Sequence, residues 1–271
     1  MQARTLPSSR GWNWLREGLQ LWRRSPALIT FAAFGYLLTL LLVSLFPFIG
    51  QIAASLIMPA LSVGVLNACR AVEAGRKTGP DVLFSGFRTN LPALLAIGGL
   101  YLAGSIVVLL LVSMVDDGTL AEIMRGGEID EAVMADSNLG FTLLVAMLLS
   151  TPLMMAYWFA PMLAAWWKLP AAKAMFFSFY ACLRNWRPFL AYSIGVLLFG
   201  AFLPGLIIGV LGMVSPMLAT LTSFPLPLVL VPVLFASFYA NTRDVFGLPG
   251  DGSARAGHPP ANPPADLGNG R

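Results

Sequence analysis

The residues that could catalyse a reaction or bind a metal are few and far apart in this chain of 271 residues. It contains one histidine, His258, and two cysteines, Cys69 and Cys182. A zinc or iron site needs several such ligands close together, and serine–histidine catalysis needs a histidine beside the nucleophile. The phosphate-binding pattern G-x-x-x-x-G-K-S/T and the metalloprotease pattern H-E-x-x-H are also absent from the sequence. We therefore predict that the chain is not an enzyme and binds neither a cofactor nor a metal.

One acidic segment offers an alternative chemistry. Residues 115–138 hold seven carboxylates and one basic residue, Arg125. Carboxylate oxygens are ligands for divalent cations, but the spacing does not follow the calcium-loop pattern D-x-D/N-x-D/N-G. We interpret the segment as a solvated acidic loop, with an ion sensor as the weaker hypothesis.

The composition indicates a membrane protein. Charged residues make up 11% of the chain and hydrophobic residues 57%, and the mean hydropathy is +0.75. A soluble domain has about 25% charged residues and could not hide this much apolar surface from water. The composition therefore excludes both a soluble globular protein and a disordered chain.

Four long runs without a charged residue predict six spans in an all-α transmembrane bundle. The two middle runs contain 27 and 31 residues and fit one helix each, because a crossing needs about 20 residues. The two outer runs contain 45 and 55 residues and fit two helices each. Proline and glycine at 46–51 and 212–216 mark the turns within them. The predicted spans are about 26–48, 51–69, 92–114, 140–165, 189–211 and 218–240.

The distribution of lysine and arginine gives independent support for six spans. With that count, the two termini and the loops 70–91 and 166–188 lie on one side and hold 16 of the 17 basic residues. Cytoplasmic loops are enriched in lysine and arginine, so we predict that both termini are cytoplasmic. The regions are an interfacial helix in 1–25, a transmembrane domain over 26–242 with a periplasmic acidic loop at 115–138, and a disordered cytoplasmic tail over 243–271.

The N-terminal segment has the pattern of an amphipathic helix lying in the headgroup plane. Trp12, Leu15, Leu19 and Trp22 share one helical face, and most of the polar residues lie on the others. Six of the seven tryptophans fall at the predicted cytoplasmic interface, as an aromatic belt does. The predicted interfacial anchors are Trp12, Trp14, Trp22, Trp166, Trp167 and Trp186. The predicted contacts to anionic lipid are Arg23, Arg24, Arg88, Arg184 and Arg187.

Three similar stretches, 18–26, 84–92 and 180–188, precede the odd-numbered spans. Each has an apolar residue five positions before a proline and an arginine three or four positions before it. Each even-numbered span also contains a proline, at positions 59, 161 and 232. We interpret the pattern as three copies of an interfacial helix followed by a helical hairpin. The alternative is that any hairpin behind a basic anchor has this pattern.

The spans themselves carry little chemistry. Their interiors contain no Asp, Glu, Lys, Arg or His, which argues against a proton-coupled pump. Gly205 and Gly209 form a small-residue stripe on the fifth span, which we interpret as internal helix packing rather than a dimer contact. Met147, Met154, Met155 and Met162 on the fourth span are interpreted as gap-filling core residues rather than as the lining of a cavity.

Several short motifs carry a resemblance to a family. The first is Gly11-Trp12-x-Trp14-x-x-x-Gly18-x-x-Leu21, and the others lie at 59–64, 158–161, 174–178, 181–185 and 243–246. In combination, over about residues 5 to 246, they resemble an uncharacterised family of proteobacterial, mainly betaproteobacterial, inner-membrane proteins. The resemblance implies a multi-pass protein of the bacterial inner membrane. It implies no activity, ligand or catalytic residue.

The function expected from the sequence is therefore non-enzymatic. We expect an integral membrane protein that organises lipid or partner proteins in the cell envelope, through its basic and tryptophan-rich cytoplasmic side. Membrane lipids are the expected partners, other inner-membrane proteins are further candidates, and no nucleic acid is expected. The alternative is a facilitator or channel for a small neutral or lipidic solute, in which the proline breaks leave carbonyls facing a cavity.

Overall fold

A computed structural model describes residues 3–47, 49–116, 139–223 and 225–249 of the protein. Every regular element within those ranges is helical. The acidic loop lies almost entirely outside the described residues, as does the tail from residue 250. In chain order the elements are α1 Arg10–Arg24, α2 Pro26–Ser44, α3 Ile49–Glu73, a 3-10 helix Pro80–Arg88, α4 Leu91–Ser113, α5 Leu139–Trp158, α6 Ala160–Trp166, α7 Ala171–Arg184, α8 Trp186–Leu197, a π-helical turn Leu198–Phe202, α9 Leu203–Val214, α10 Pro216–Ser223 and α11 Pro225–Phe246.

Six segments of the described chain are long and apolar enough to cross a membrane, which confirms the prediction of a six-span helical bundle. Spans 1, 2 and 3 are α2, α3 and α4. Span 4 is α5 with α6, span 5 runs from α8 to α9, and span 6 is α10 with α11. Helix α11 continues to Phe246, so the helix includes the first four residues of the region predicted as a disordered tail. Ion pairs of Arg243 and Asp244, described below, hold that last turn in place.

The core lies in one half of the bundle. Because the chain alternates sides as it crosses, α1, the 3-10 helix and α7 all lie at one end, which we call the basic end. Pro59 and Pro232 lie inside the continuous helices α3 and α11, whereas Pro161 follows the break in span 4. Nearly all of the buried residues of α3, α6 and α11 lie beside or after these prolines, toward the basic end. Toward the opposite end the spans expose large apolar side chains such as Ile49, which suits contact with lipid.

The three segments at the basic end pack in a cyclic order. The 3-10 helix packs on spans 2 and 1, α7 packs on spans 4 and 3, and α1 packs on spans 6 and 5. Each segment thus contacts the two spans that precede it, and for α1 these are the last two spans of the chain. This is the arrangement that three repeated units predict. The repeat itself stays a prediction.

A side chain from α7 occupies the break in span 4. In a continuous helix the N–H of Phe159 would donate to the carbonyl of Met155. Here the Ser178 hydroxyl accepts a hydrogen bond from the Phe159 N–H at 2.8 Å and donates one to the Met155 carbonyl at 2.7 Å. Pro161 has no N–H of its own to donate, and the hydroxyl satisfies the neighbouring backbone groups that the break exposes. The contact fixes the end of α5 against α7.

Two groups of residues within the spans, the glycines of span 5 and the methionines of span 4, lie in surroundings that differ from the sequence interpretation. A Cβ at Gly205 or Gly209 would meet no atom of the described residues within 4 Å, so the prediction of internal helix packing there is wrong. Span 5 contains a π-helical turn before this stripe, and α9 then packs chiefly against α10. On span 4, Met162 is buried in the core as predicted, but Met154 and Met162 also line a cavity.

Candidate functional site

The five arginines predicted to contact anionic lipid are all exposed at the basic end. Arg23 and Arg24 form the last turn of α1, and Arg88 ends the 3-10 helix. Arg184 ends α7, and Arg187 lies in the first turn of α8. Guanidinium groups in such positions can donate paired hydrogen bonds to phosphate oxygens. The structure therefore brings these five residues to one end of the bundle, from all three of its amphipathic segments.

Two of the six tryptophans predicted as interfacial anchors are well exposed, and one of them lies beside one of these arginines. Trp12 is 40% exposed and Trp186 is 56% exposed. The Arg187 guanidinium lies 5.5 Å from the centroid of the Trp186 ring, within the range of a cation–π contact. An exposed indole next to a cationic group is typical of residues that lie at the headgroup level of a membrane.

The other four predicted anchors are drawn into the protein. Trp22 and Trp166 are half-buried, and each donates a hydrogen bond from its indole nitrogen to a side chain of span 1 or span 2. Trp167 is half-buried as well and packs against an aromatic ring at the end of α11. Trp14 is fully buried. Its indole therefore stabilises the packing of α1 and does not reach the surface.

Helix α1 packs on the bundle through a face that sequence reasoning missed. Its buried residues are Gly11, Trp14, Gly18 and Leu21, whereas the predicted apolar face lines a partly exposed groove beside spans 5 and 6. Gly11 and Gly18 explain why this face of α1, and not the predicted one, packs against the bundle. A Cβ at Gly18 would lie 2.6 Å from the backbone nitrogen of Ser237, so the helices meet backbone to backbone. Helix α1 is therefore a packed part of the bundle, and its location in the headgroup plane stays a prediction.

Five charged side chains form an ionic cluster at the basic end: Arg10, Glu17, Glu73, Arg243 and Asp244. The Nη2 of Arg10 lies 2.9 Å from a carboxylate oxygen of Glu17, and its Nε lies 2.7 Å from Asp244. Arg243 pairs with both Glu17 and Glu73. The ionic cluster therefore joins α1 to the ends of spans 2 and 6.

Two aromatic side chains extend the ionic cluster into the core. The indole nitrogen of the buried Trp14 donates to Asp244 at 2.9 Å, and the Tyr239 hydroxyl donates to Glu73. Burial lowers the pKa of Arg10, but the hydrogen bond and charge of Asp244 and of a second carboxylate raise it, and the net pKa lies above its ordinary value. Arg10 therefore stays charged, and the ionic cluster holds two cations against three carboxylates.

Sequence reasoning missed the ionic cluster because its partners lie far apart in the chain. Arg10 and Asp244 are 234 positions apart, and Arg243 and Glu73 are 170 apart. One local signal was available, since Arg10 and Glu17 are seven residues apart and so share a helical face. Nothing in the sequence shows which span that face meets, because the contact forms only when α1 closes on the last span.

The comparisons with known proteins agree with a location in the inner membrane. The chain is 35% identical over 266 residues to the "Probable inner membrane protein BTH_II0599" of Burkholderia thailandensis. The matched region covers 94% of this chain and 97% of that protein. No family model matches the chain, and no solved structure matches it. With its six spans, the protein is a multi-pass protein of the bacterial inner membrane. It belongs to the family of proteobacterial inner-membrane proteins that includes this Burkholderia relative.

Proposed function

We propose that this protein is a non-enzymatic inner-membrane protein whose basic end faces the cytoplasm and binds anionic lipid headgroups, and that it organises lipid or partner proteins in this way. The observation that carries the proposal is the set of five exposed arginines at one end of the bundle, which also holds the exposed Trp12 and Trp186. The arginines come from α1, the 3-10 helix, α7 and α8. Contacts to lipid phosphate would therefore surround the bundle rather than lie on one side of it.

We expect the protein to select anionic over zwitterionic lipid in mixed bilayers. Each arginine near a membrane surface contributes about 1 kcal/mol of attraction to anionic lipid, or about fivefold in affinity. Spin-labelled phosphatidylglycerol and phosphatidylcholine, measured by electron paramagnetic resonance on the reconstituted protein, give the relative association constant. It should exceed 1 at low salt and fall towards 1 at about 1 M salt, where the Debye length is about 3 Å.

A pair of matched variants tests whether the assigned arginines cause this selectivity. Arg23→Gln with Arg24→Gln removes two charges at the start of span 1, and we expect it to lower the selectivity severalfold. Arg76→Gln with Lys77→Gln removes two exposed charges from the loop before the 3-10 helix. Neither is among the assigned headgroup contacts, so the effect is expected to be smaller. A wild-type protein without selectivity, or two double variants with equal effects, would contradict the proposal.

The orientation of the bundle gives a separate prediction. Cysteine introduced by Lys77→Cys or Lys168→Cys is expected to react with a membrane-impermeant maleimide only from the cytoplasmic side. Gln51→Cys and Met213→Cys are expected to react only from the periplasmic side. All four positions are exposed, and the first two lie at the basic end. Labelling of the first pair from the periplasm would overturn the proposed orientation.

The native cysteines leave this experiment with a low background. Cys69 and Cys182 are both buried. Burial raises the pKa of the Cys182 thiol to about 12, and the thiolate is the form that reacts with maleimide. The wild-type protein is therefore expected to stay unlabelled from either side until it is unfolded in detergent.

The facilitator hypothesis is the second candidate, and one observation favours it. A cavity lies between the spans, near the prolines of spans 2, 4 and 6 and the break in span 4. Transport needs a continuous path through the bilayer that opens to each side in turn. Uptake of a solute by vesicles that contain the protein, above the uptake of empty vesicles, would support this candidate over a binding role.

A further inference from the structure

A cavity of about 470 Å³ lies inside the bundle, and all six spans contribute to its wall. Its volume falls within the range of about 300–1,000 Å³ that is common for small-molecule sites. One residue from each span, in order, is Tyr36, Ser62, Tyr101, Tyr157, Tyr192 and Phe235. The cavity is therefore a feature of the whole bundle and not a gap between two neighbouring helices.

The wall of this cavity suits a neutral ligand with aromatic or apolar surface. Four of the six tyrosines of the chain line it, together with phenylalanine, tryptophan and methionine side chains. No charged side chain is among the described residues that line it. A charged ligand would therefore be buried without a counter-charge, which costs much free energy. Aromatic rings and methionine, in contrast, pack well against planar or flexible apolar groups.

Two hydrogen-bond donors in this wall have no partner. The Tyr157 hydroxyl and the Trp158 indole nitrogen are both buried, and neither has a hydrogen-bond partner within the part of the chain that the structure describes. Another polar group in the same wall is satisfied internally, since the Tyr192 hydroxyl bonds to Ser237 at 2.7 Å. A buried donor without an acceptor is unfavourable, and an indole nitrogen can only donate. Two residues of the cavity wall therefore carry a buried donor that lacks an acceptor.

The fold holds these two donors firmly. Tyr157 and Trp158 are the last two residues of α5, directly before the break in span 4. The Ser178 hydroxyl fixes that break, and the Tyr157 ring packs on Tyr101 with centroids 4.5 Å apart. The donors are thus preorganised, which lowers the entropy cost of binding an acceptor.

We propose that this cavity binds a neutral apolar molecule through a carbonyl oxygen that accepts hydrogen bonds from Tyr157 and Trp158. Two kinds of membrane molecule have this chemistry: a quinone ring with an apolar tail, and an acylglycerol with its ester groups. The inference goes beyond the proposed function, because the cavity lies among the spans and uses none of the arginines that bind headgroups.

Binding of three probe molecules to the purified protein in detergent tests the proposal. Decylubiquinone has ring carbonyls, dioleoylglycerol has ester carbonyls, and decylbenzene has a tail and a ring but no carbonyl. After gel filtration, mass spectrometry counts the molecules that each chain retains over a range of probe concentrations. We expect decylubiquinone or dioleoylglycerol to saturate at about one per chain, with decylbenzene at the level of empty micelles, and the carbonyl probe that is retained identifies the source. Equal retention of all three probes would overturn the proposal.

Variants that remove one donor and keep an aromatic ring at the position make the test specific. Tyr157→Phe and Trp158→Phe are each expected to weaken retention of the carbonyl probe by about fivefold. Tyr180→Phe makes the same change on the exposed face of α7 and is expected to have no effect. Wild-type affinity in both cavity variants would show that no carbonyl meets these donors. Their selectivity for anionic lipid is expected to stay unchanged, so the failure of one proposal is distinguishable from the failure of the other.

Discussion

Replacing Gly64 by alanine is expected to lower the thermal unfolding midpoint by about 10 °C. A Cβ at Gly64 would lie 1.8 Å from the carbonyl oxygen of Leu83, and one at Gly86 would lie 1.9 Å from the carbonyl oxygen of Ala60. Span 2 and the 3-10 helix thus meet backbone to backbone, and no side-chain rotation relieves the clash. Overpacking of this kind costs about 3 kcal/mol, and each kcal/mol shifts the midpoint by about 2–4 °C in a protein of this size.

The same substitution at another helical glycine provides the control. A Cβ at Gly209 would meet nothing within 4 Å, so Gly209→Ala is expected to be neutral or to raise the midpoint slightly, because alanine has the higher helix propensity. Circular dichroism at 222 nm during heating in detergent measures both variants. Equal midpoints for Gly64→Ala and Gly209→Ala would show that the close contact does not contribute to stability.

The number and limits of the spans could be predicted from the sequence because bilayer thickness sets the length of a crossing. A run of apolar residues between two charges therefore gives the position of a helix directly. The prolines at 59, 161 and 232 also mark the places where the even-numbered spans pass from mostly exposed to mostly buried residues. Each of these features depends on residues that are near one another in the chain.

The packed face of α1 could not be predicted in the same way. Two adjacent faces of this helix are apolar enough to be buried, and the hydrophobic pattern favoured the one with Trp12. The structure buries the face with Gly11 and Gly18 because the backbone of α1 approaches span 5 closely at Gly11 and span 6 closely at Gly18. The central cavity was missed for a related reason, since its wall takes residues from all six spans and has no pattern along the chain.

Replacing Arg243 by glutamine is expected to destabilise the protein by about 2 kcal/mol. Arg243 pairs with Glu17 of α1 and with Glu73 of span 2, and all three side chains are about one-quarter exposed. Its loss leaves the partly buried Glu73 carboxylate without this cation, and Glu17 keeps only its ion pair with Arg10. Breaking a fully buried pair costs about 3–5 kcal/mol, and partial exposure to water reduces that figure. Denaturant or thermal unfolding of the purified protein measures the loss, and Arg76→Gln in the exposed loop is the control for the removal of one charge.

A double-mutant cycle decides whether the loss comes from this ionic cluster. Glu73→Gln removes one of the two carboxylates and keeps an acceptor for the Tyr239 hydroxyl. The double variant Arg243→Gln with Glu73→Gln is therefore expected to be more stable than the sum of the single losses predicts, by about 1–2 kcal/mol. High salt is expected to shrink this coupling. Strictly additive losses would mean that the arginine acts through packing alone. A measured coupling would mean that spans 2 and 6 are held together at the basic end by charge as well as by packing.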